Sequence, residues 1–112
     1  MTTKKTFILR GKAASKGIVI GRVKIVPDSS VSVNFEKGDI LVAPMTKPSM
    51  ILLMNKASAI VTDTGGILCH AAILSRELGI PCIVGTYKAT KILKDGVLIR
   101  VNGNKGLIEI IE

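Results

Sequence analysis

The sequence predicts an α/β fold: a small parallel sheet with helices, joined to an antiparallel β layer. Three observations predict it. The middle of the chain alternates short apolar runs with helical patterns in the order strand, helix, strand, helix, strand. The two terminal portions are rich in β-branched residues, with turn signals between the runs. The chain has 112 residues, 47% of them apolar, which is enough to bury a core and form one domain over residues 1–112. Only residues 1–5 read as a loose terminus.

Each element follows from its residues. Residues 17–26 are β-branched and partly alternating, the pattern of a half-buried strand. Pro27, Asp28, Ser29 and Ser30 end it with turn chemistry. Gly38 and Asp39 launch residues 40–43, a continuous apolar run suited to a buried strand, and Pro44 stops it. Thr46, Lys47 and Pro48 open a helix, because proline at the first helical position gives up an N–H that would have no partner anyway. Met50 to Met54 supply the apolar face of that helix, which ends near Lys56. Residues 59–62 form another short buried strand and run straight into Asp63-Thr64-Gly65-Gly66. A second helix is predicted from about His70 to Leu78, with Ala71, Leu74 and Leu78 on one face. Gly79 and Pro81 end it. Residues 82–84 return as strand, and residues 87–94 read as a short basic helix or turn. Asp95-Gly96 turns into a strand over residues 97–101. Asn102 to Gly106 make a hairpin to the last strand, residues 107–111.

Charge narrows the function. Sixteen Lys and Arg against eight Asp and Glu give a net charge of +8. Such a surface attracts anions: phosphorylated small molecules, nucleic acid or acidic protein faces. Aromatic residues are only 3% of the chain, so the stacking platforms of single-strand nucleic-acid binders are scarce. A basic nucleic-acid-binding domain is therefore the weakest alternative. No apolar run approaches the roughly 20 residues of a membrane span. Lys4 and Lys5 precede only a short apolar stretch before Arg10, so no secretory signal is expected. Cys69 and Cys82 form neither a CxxC pair nor a disulfide framework, which fits a reducing cytoplasm.

The chain holds one histidine, His70. It follows a strand and a Gly65-Gly66 pair, and it opens a helix. The glycines permit a tight turn and close approach of an anion. A helix start presents unpaired N–H groups and the positive end of the helix dipole. Together these make an anion site in which an imidazole can be a nucleophile and its phosphorylated form is stabilised. On the residues alone, a helix-capping or solvent-facing histidine remains the competing reading.

The segment from Ile60 to Thr86 contains Thr64-Gly65-Gly66-Ile67-Leu68-Cys69-His70-Ala71-Ala72 and Ser75-Arg76-Glu77-Leu78-Gly79-Ile80-Pro81. It closely resembles the phosphohistidine signature of the phosphoenolpyruvate-utilising enzymes. That family includes phosphoenolpyruvate synthase, pyruvate phosphate dikinase, enzyme I of the sugar phosphotransferase system and the rifamycin phosphotransferases. The flanks are similar too: Gly11-Lys12-Ala13-Ala14-Ser15-Lys16-Gly17 resembles the family's opening G-x-x-A-S-x-G. Gly38 to Thr46 resembles its G-D/E-I-L-V segment, and residues 95–106 its closing hairpin.

The resemblance implies a swivelling β/β/α three-layer domain with two main helices, carrying a phosphoryl group on His70 through Nε2. It implies that Gly65, Gly66 and the N–H groups of Cys69 and Ala71 cradle the phosphate. Thr46, Thr64, Arg76 and Glu77 are the supporting candidates. For Arg76 two roles stand side by side: contact with phosphate or a docking face, or a solvated helix charge paired locally. Leu68 stands where many members have a threonine that can be phosphorylated for regulation, so control of that kind is not expected. The pattern Gly-Gly-x-Leu-x-His is more similar to the antibiotic-phosphorylating branch.

A (β/α)₈ barrel alone needs about 250 residues, so neither it nor an ATP-grasp domain fits in this chain. The resemblance thus implies a carrier that binds no cofactor itself and works with separate ATP-grasp-type or phosphoenolpyruvate-binding chains. Mg²⁺ and ATP or phosphoenolpyruvate are expected on those partners; nucleic acid and membrane are not. The start at Met1 and the end just after the last strand suggest a free-standing product. The alternative from another class is a non-catalytic interaction module that keeps the fold and lacks the chemistry. Cys69, His70 and Cys82 offer no plausible zinc site, because adjacent residues rarely face one tetrahedral centre and a fourth ligand is missing. Both cysteines are expected to be ordinary packing residues rather than reactive thiols.

Overall fold

The computed structural model describes residues 8–27 and 34–111. Its strands are β1 (Ile8–Arg10), β2 (Lys12–Ser15), β3 (Ile18–Ile25), β4 (Ile40–Ala43), β5 (Ala59–Thr62), β6 (Cys82–Val84), β7 (Leu98–Asn102) and β8 (Leu107–Ile110). Helix α1 (Ile51–Met54) follows a 3-10 turn at Pro48–Met50; α2 is His70–Leu78 and α3 is Ala89–Ile92.

The strands join in the order β1-β8-β7-β3-β4-β5-β6-β2. Strands β3 to β6 are parallel, with α1 and α2 as the crossovers between β4, β5 and β6. Strands β1, β8, β7 and the first half of β3 are antiparallel. Strand β3 serves both layers: Ile18 to Arg22 pair with β7, and Val23 to Ile25 pair with β4. Strands β1 and β2 are separated only by Gly11, yet they pair with opposite ends of the strand order, β8 and β6. The sheet is thereby folded over itself into two layers.

Side-chain alternation in the parallel strands fills two cores. Ile40, Val42, Ala59, Val61 and Ile83 face Leu9, Ile99, Val101 and Ile108 of the antiparallel layer. Leu41, Ala43, Ile60, Cys82 and Val84 face Met50, Leu53, Met54, Ala71 and Ala72 on the helical side. The result is the predicted three-layer β/β/α arrangement. Continuous apolar runs in β4, β5 and β6 follow from this, since both of their faces are covered.

The structure departs from the sequence reading in several places. The sequence reading places no strand at β1, which is only three residues long, or at β2, where Lys12-Ala13-Ala14-Ser15 has low β propensity that pairing with β6 overrides. The first predicted helix is a 3-10 turn and a single α turn. It buries Met50, Leu53 and Met54, while Ile51 and Leu52 are exposed. On α2 the buried face is Ala71, Ala72 and Ser75; Leu74 is half-buried and Leu78 is exposed. The basic stretch over residues 87–94 contains a short helix, one of the two forms expected for it; Ala89 and Leu93 enter the core between the β layers. Residues 1–5 and positions 28–30 of the predicted turn lie outside the described residues.

Candidate functional site at the carboxyl ends of the parallel strands

The loops after β4, β5 and β6 meet at one edge of the parallel layer, where ligands of α/β sheets generally bind. Backbone bonds stitch them together. Asp63 N donates to Ala43 O at 3.1 Å, and Thr64 N to Pro44 O at 3.0 Å. Thr86 N donates to Thr62 O at 3.2 Å, and Tyr87 N to Asp63 O at 2.8 Å. Threonine hydroxyls reinforce the seam: Thr62 donates to Thr64 O, Thr64 to Pro44 O and Thr86 to Thr62 O. The Asp63 carboxylate accepts from the backbone N and hydroxyl of Thr90, which ties the β5 loop to the first turn of α3. Sequence reasoning gave Asp63 no role; only its position before the glycine pair hinted at one.

The β5 loop turns through Gly65, whose φ is +113. A side chain there would be strained, and its Cβ would come within 2.8 Å of Cys69 Sγ. Cys69 N donates to Gly66 O, and Cys69 is the N-cap of α2, but its side chain caps no N–H. The first turn of α2 contains no acidic residue. Its positive end, with the unpaired N–H groups of the first turn, is therefore not neutralised by a local carboxylate.

His70 is the first residue of α2 and is half-buried. Its Nδ1 lies 2.7 Å from Thr46 Oγ1, in a hydrogen bond whose direction follows the tautomer. Thr46 is itself buried, in the loop that leaves β4. This bond commits Nδ1 and leaves Nε2 as the other ring nitrogen. A cavity of about 330 Å³ is lined by Met45, Thr46, Thr62, Thr64, Gly65, Cys69, His70 and Ala71. Six of the predicted site residues thus come together: Thr46, Thr64, Gly65, Cys69, His70 and Ala71. The Thr64 hydroxyl is spent on Pro44 O.

Three predicted residues stand apart. Gly66 is not in the lining, and a Cβ there would meet nothing within 4 Å. Glu77 is exposed on α2, outside the lining. The Arg76 guanidinium bonds the backbone carbonyls of Ala14 and Ile67 and lies outside the lining of the His70 cavity. Arg76 lines a larger cavity of about 640 Å³ with Ala14, Ser15, Lys16, Gly17, Gly79 and Asn104, away from His70.

Among the described residues no group of three His, Cys, Asp or Glu is placed to hold a metal ion. None of their helices is long and apolar enough to cross a membrane. Burial pushes the Cys82 thiol up to about 12, and the nearby Ser75 hydroxyl offsets only part of this. The thiolate is the reactive form. Cys82 is accordingly expected to stay unmodified by a thiol reagent at about pH 8 until the chain unfolds, as labelling and peptide mapping would show.

Residues 35–106 match the family described as PEP-utilising enzyme, mobile domain. The chain belongs to this family. It is 54% identical over 101 residues to the phosphoenolpyruvate synthase of Pyrococcus furiosus, which covers 90% of this chain and 12% of that protein. The chain thus spans only about an eighth of the length of the curated relatives it matches. Among solved structures, the NMR structure of the enzyme I protein nEIt aligns with a TM-score of 0.61 at 30% identity, over 69% of this chain and 32% of that one. The fold alone is shared with aconitase X of Thermococcus kodakaraensis: TM-score 0.74, 22% identity, over 94% and 98% of the two chains. The three-layer architecture is therefore that of a mobile domain within a phosphotransfer-related family.

Proposed function

We propose that this mobile domain is a phosphoryl carrier that takes a phosphoryl group on Nε2 of His70 and passes it to an acceptor. The observation that supports this best is the Thr46–His70 bond. With the proton on Nδ1 and Thr46 Oγ1 accepting it, the Nε2 lone pair is free to attack phosphorus. As the N–P bond forms, the bond from phosphorus to the donor's leaving oxygen breaks, and that oxygen departs with the electron pair. Nδ1 keeps its proton throughout. The backbone N–H of Ala71, in the first turn of α2 beside the open turn at Gly65, supplies a donor to the phosphoryl oxygens, whereas the Cys69 N–H is spent on Gly66 O. Transfer onward reverses the step at a second site.

Both outer sites lie beyond this chain, on other domains or on separate partner chains. By the family resemblance we take them to be a nucleotide site and a phosphoenolpyruvate or pyruvate site, with Mg²⁺ and ATP or phosphoenolpyruvate bound there. The basic surface favours docking against such anion-laden sites. Ile8 pairs with Glu109, so residues near the two ends of the described fold leave it side by side. A domain joined to others at that edge can turn as one body.

The test is to incubate the purified chain with extract of its source cells and either labelled phosphoenolpyruvate or β-labelled ATP. Acid-labile, base-stable label on the chain is expected from one of them. No label from either, while the full-length family enzymes in the same extract are labelled, would leave the interaction module as the reading. Thr46→Val is expected to slow uptake roughly 10- to 100-fold by freeing the ring and its tautomer. Its stability cost is expected to be only about 1 kcal/mol, so single-turnover labelling and a thermal melt separate the two effects.

A further inference from the structure

Beyond Thr64, the loop that delivers His70 is exposed at Ile67 and Leu68. Ile67 is 54% exposed and Leu68 is 79% exposed, so neither anchors it by burial. Within the loop, Cys69 N donates to Gly66 O. A further anchor, on the exposed stretch between Thr64 and Cys69, comes from Arg76, six residues into α2. Helical side chains lean toward the helix N-terminus, so a long one at this position reaches back over the preceding turns. The Arg76 Nε donates to Ala14 O of β2 at 2.8 Å, and an Nη donates to Ile67 O. One planar guanidinium therefore ties the helix, strand β2 and the loop entering the helix by main-chain atoms alone.

We propose that Arg76 is a positioning residue for phosphoryl transfer at His70: it holds the Ile67 carbonyl away from the phosphoryl site. The proposal rests on the carrier reading above. A phosphoryl group brings about two negative charges, and the negative end of a carbonyl turned toward it would repel it. With Ile67 O engaged by Arg76, the loop backbone stays in the conformation that leaves the first N–H groups of α2 to the anion. The two bonds need the fork of the guanidinium. A lysine keeps the charge but cannot reach both carbonyls with the same geometry.

The test uses the purified chain, whose only histidine is His70, in three forms: wild type, Arg76→Lys and Arg76→Gln. Each is treated with phosphoramidate, an anionic phosphoryl donor, and separately with diethyl pyrocarbonate, an uncharged reagent for imidazole. Both variants are expected to take up phosphoryl roughly 10- to 100-fold more slowly than wild type. Their reaction with diethyl pyrocarbonate is expected to stay within about twofold. A general loosening of the structure would change both reactions together, and that result would overturn the proposal. So would an Arg76→Lys chain that matches wild type toward phosphoramidate, because charge rather than the fork would then matter. If wild type reacts with diethyl pyrocarbonate but takes no phosphoryl, the carrier reading itself fails, and the role of Arg76 falls with it.

Discussion

Replacing His70 by alanine is expected to abolish phosphoryl uptake while leaving the fold in place. The nucleophile is the one group whose loss no neighbour can compensate. The chain has no other histidine, and the side chains lining the cavity are apolar apart from threonine hydroxyls and the Cys69 thiol. Deleting the nucleophile of a covalent mechanism typically costs about 10⁴-fold or more, so acid-labile label is expected to fall below detection. The structural cost is small by comparison. His70 is half-buried and contributes one neutral hydrogen bond, to Thr46. That bond is worth about 1 kcal/mol, and alanine is the better helix former. A melting temperature within a few degrees of wild type, together with complete loss of label, is the expected pair of results. Acid-labile label that persisted in the variant would place the phosphoryl group elsewhere.

Gly103→Ala is expected to give the largest loss of stability. A Cβ at Gly103 would lie 2.1 Å from Ser15 O and 3.1 Å from Gly17 O, both backbone atoms that no rotamer change can move. The reason is an interlock between the start and the end of the chain. Gly103 N donates to Gly17 O at 2.6 Å, and Gly17 N donates to Asn104 Oδ1 at 3.0 Å. Gly11 N donates to Gly106 O at 3.0 Å. The hairpin between β7 and β8 therefore sits directly on the turn between β2 and β3, where the folded sheet closes. Forcing them apart breaks these bonds along with the packing, and is expected to cost about 3 kcal/mol or more. At roughly 4 °C per kcal/mol, a fall of at least about 12 °C in Tm is expected. Gly66→Ala is the contrasting control. No atom lies within 4 Å of its Cβ position and its φ is not positive, so a change within about 0.5 kcal/mol is expected.

Much of this architecture was readable because burial writes itself into hydrophobic pattern. The runs at β4, β5 and β6 are continuous because each strand is covered on both faces, and α2 is bounded by a helix start and by Gly79. What escaped was set by contacts distant in sequence. Strands β1 and β2 exist because of partners roughly 70 to 100 positions away, in β6 and β8. Ile51 and Leu52 looked like core, but a one-turn helix has too narrow a buried face to hide five consecutive apolar residues. The opening glycine motif resembled the family's without showing a reason; its glycines receive the final hairpin.

The site divides along the same line. His70, the glycine turn and the helix start are contiguous, so their juxtaposition could be read from order alone. Thr46 reaches His70 across 24 positions and came only from family resemblance. For Arg76 the sequence suggests contact with phosphate or a docking face, or a solvated helix charge. Spacing on a helix cannot reveal that its guanidinium turns back to two carbonyls, one of them 62 positions away. Asp63 carries no signal of its role in the sequence, because its partner, Thr90, lies on a separate helix.

The central claim concerns one nitrogen, and nitrogen–phosphorus NMR on the phosphorylated chain with ¹⁵N-labelled His70 tests it most directly. The expected result is phosphorus coupled to Nε2, with Nδ1 still protonated and bonded to Thr46. Phosphorus on Nδ1, or a phosphorylated chain whose imidazole carries no phosphorus, would contradict it.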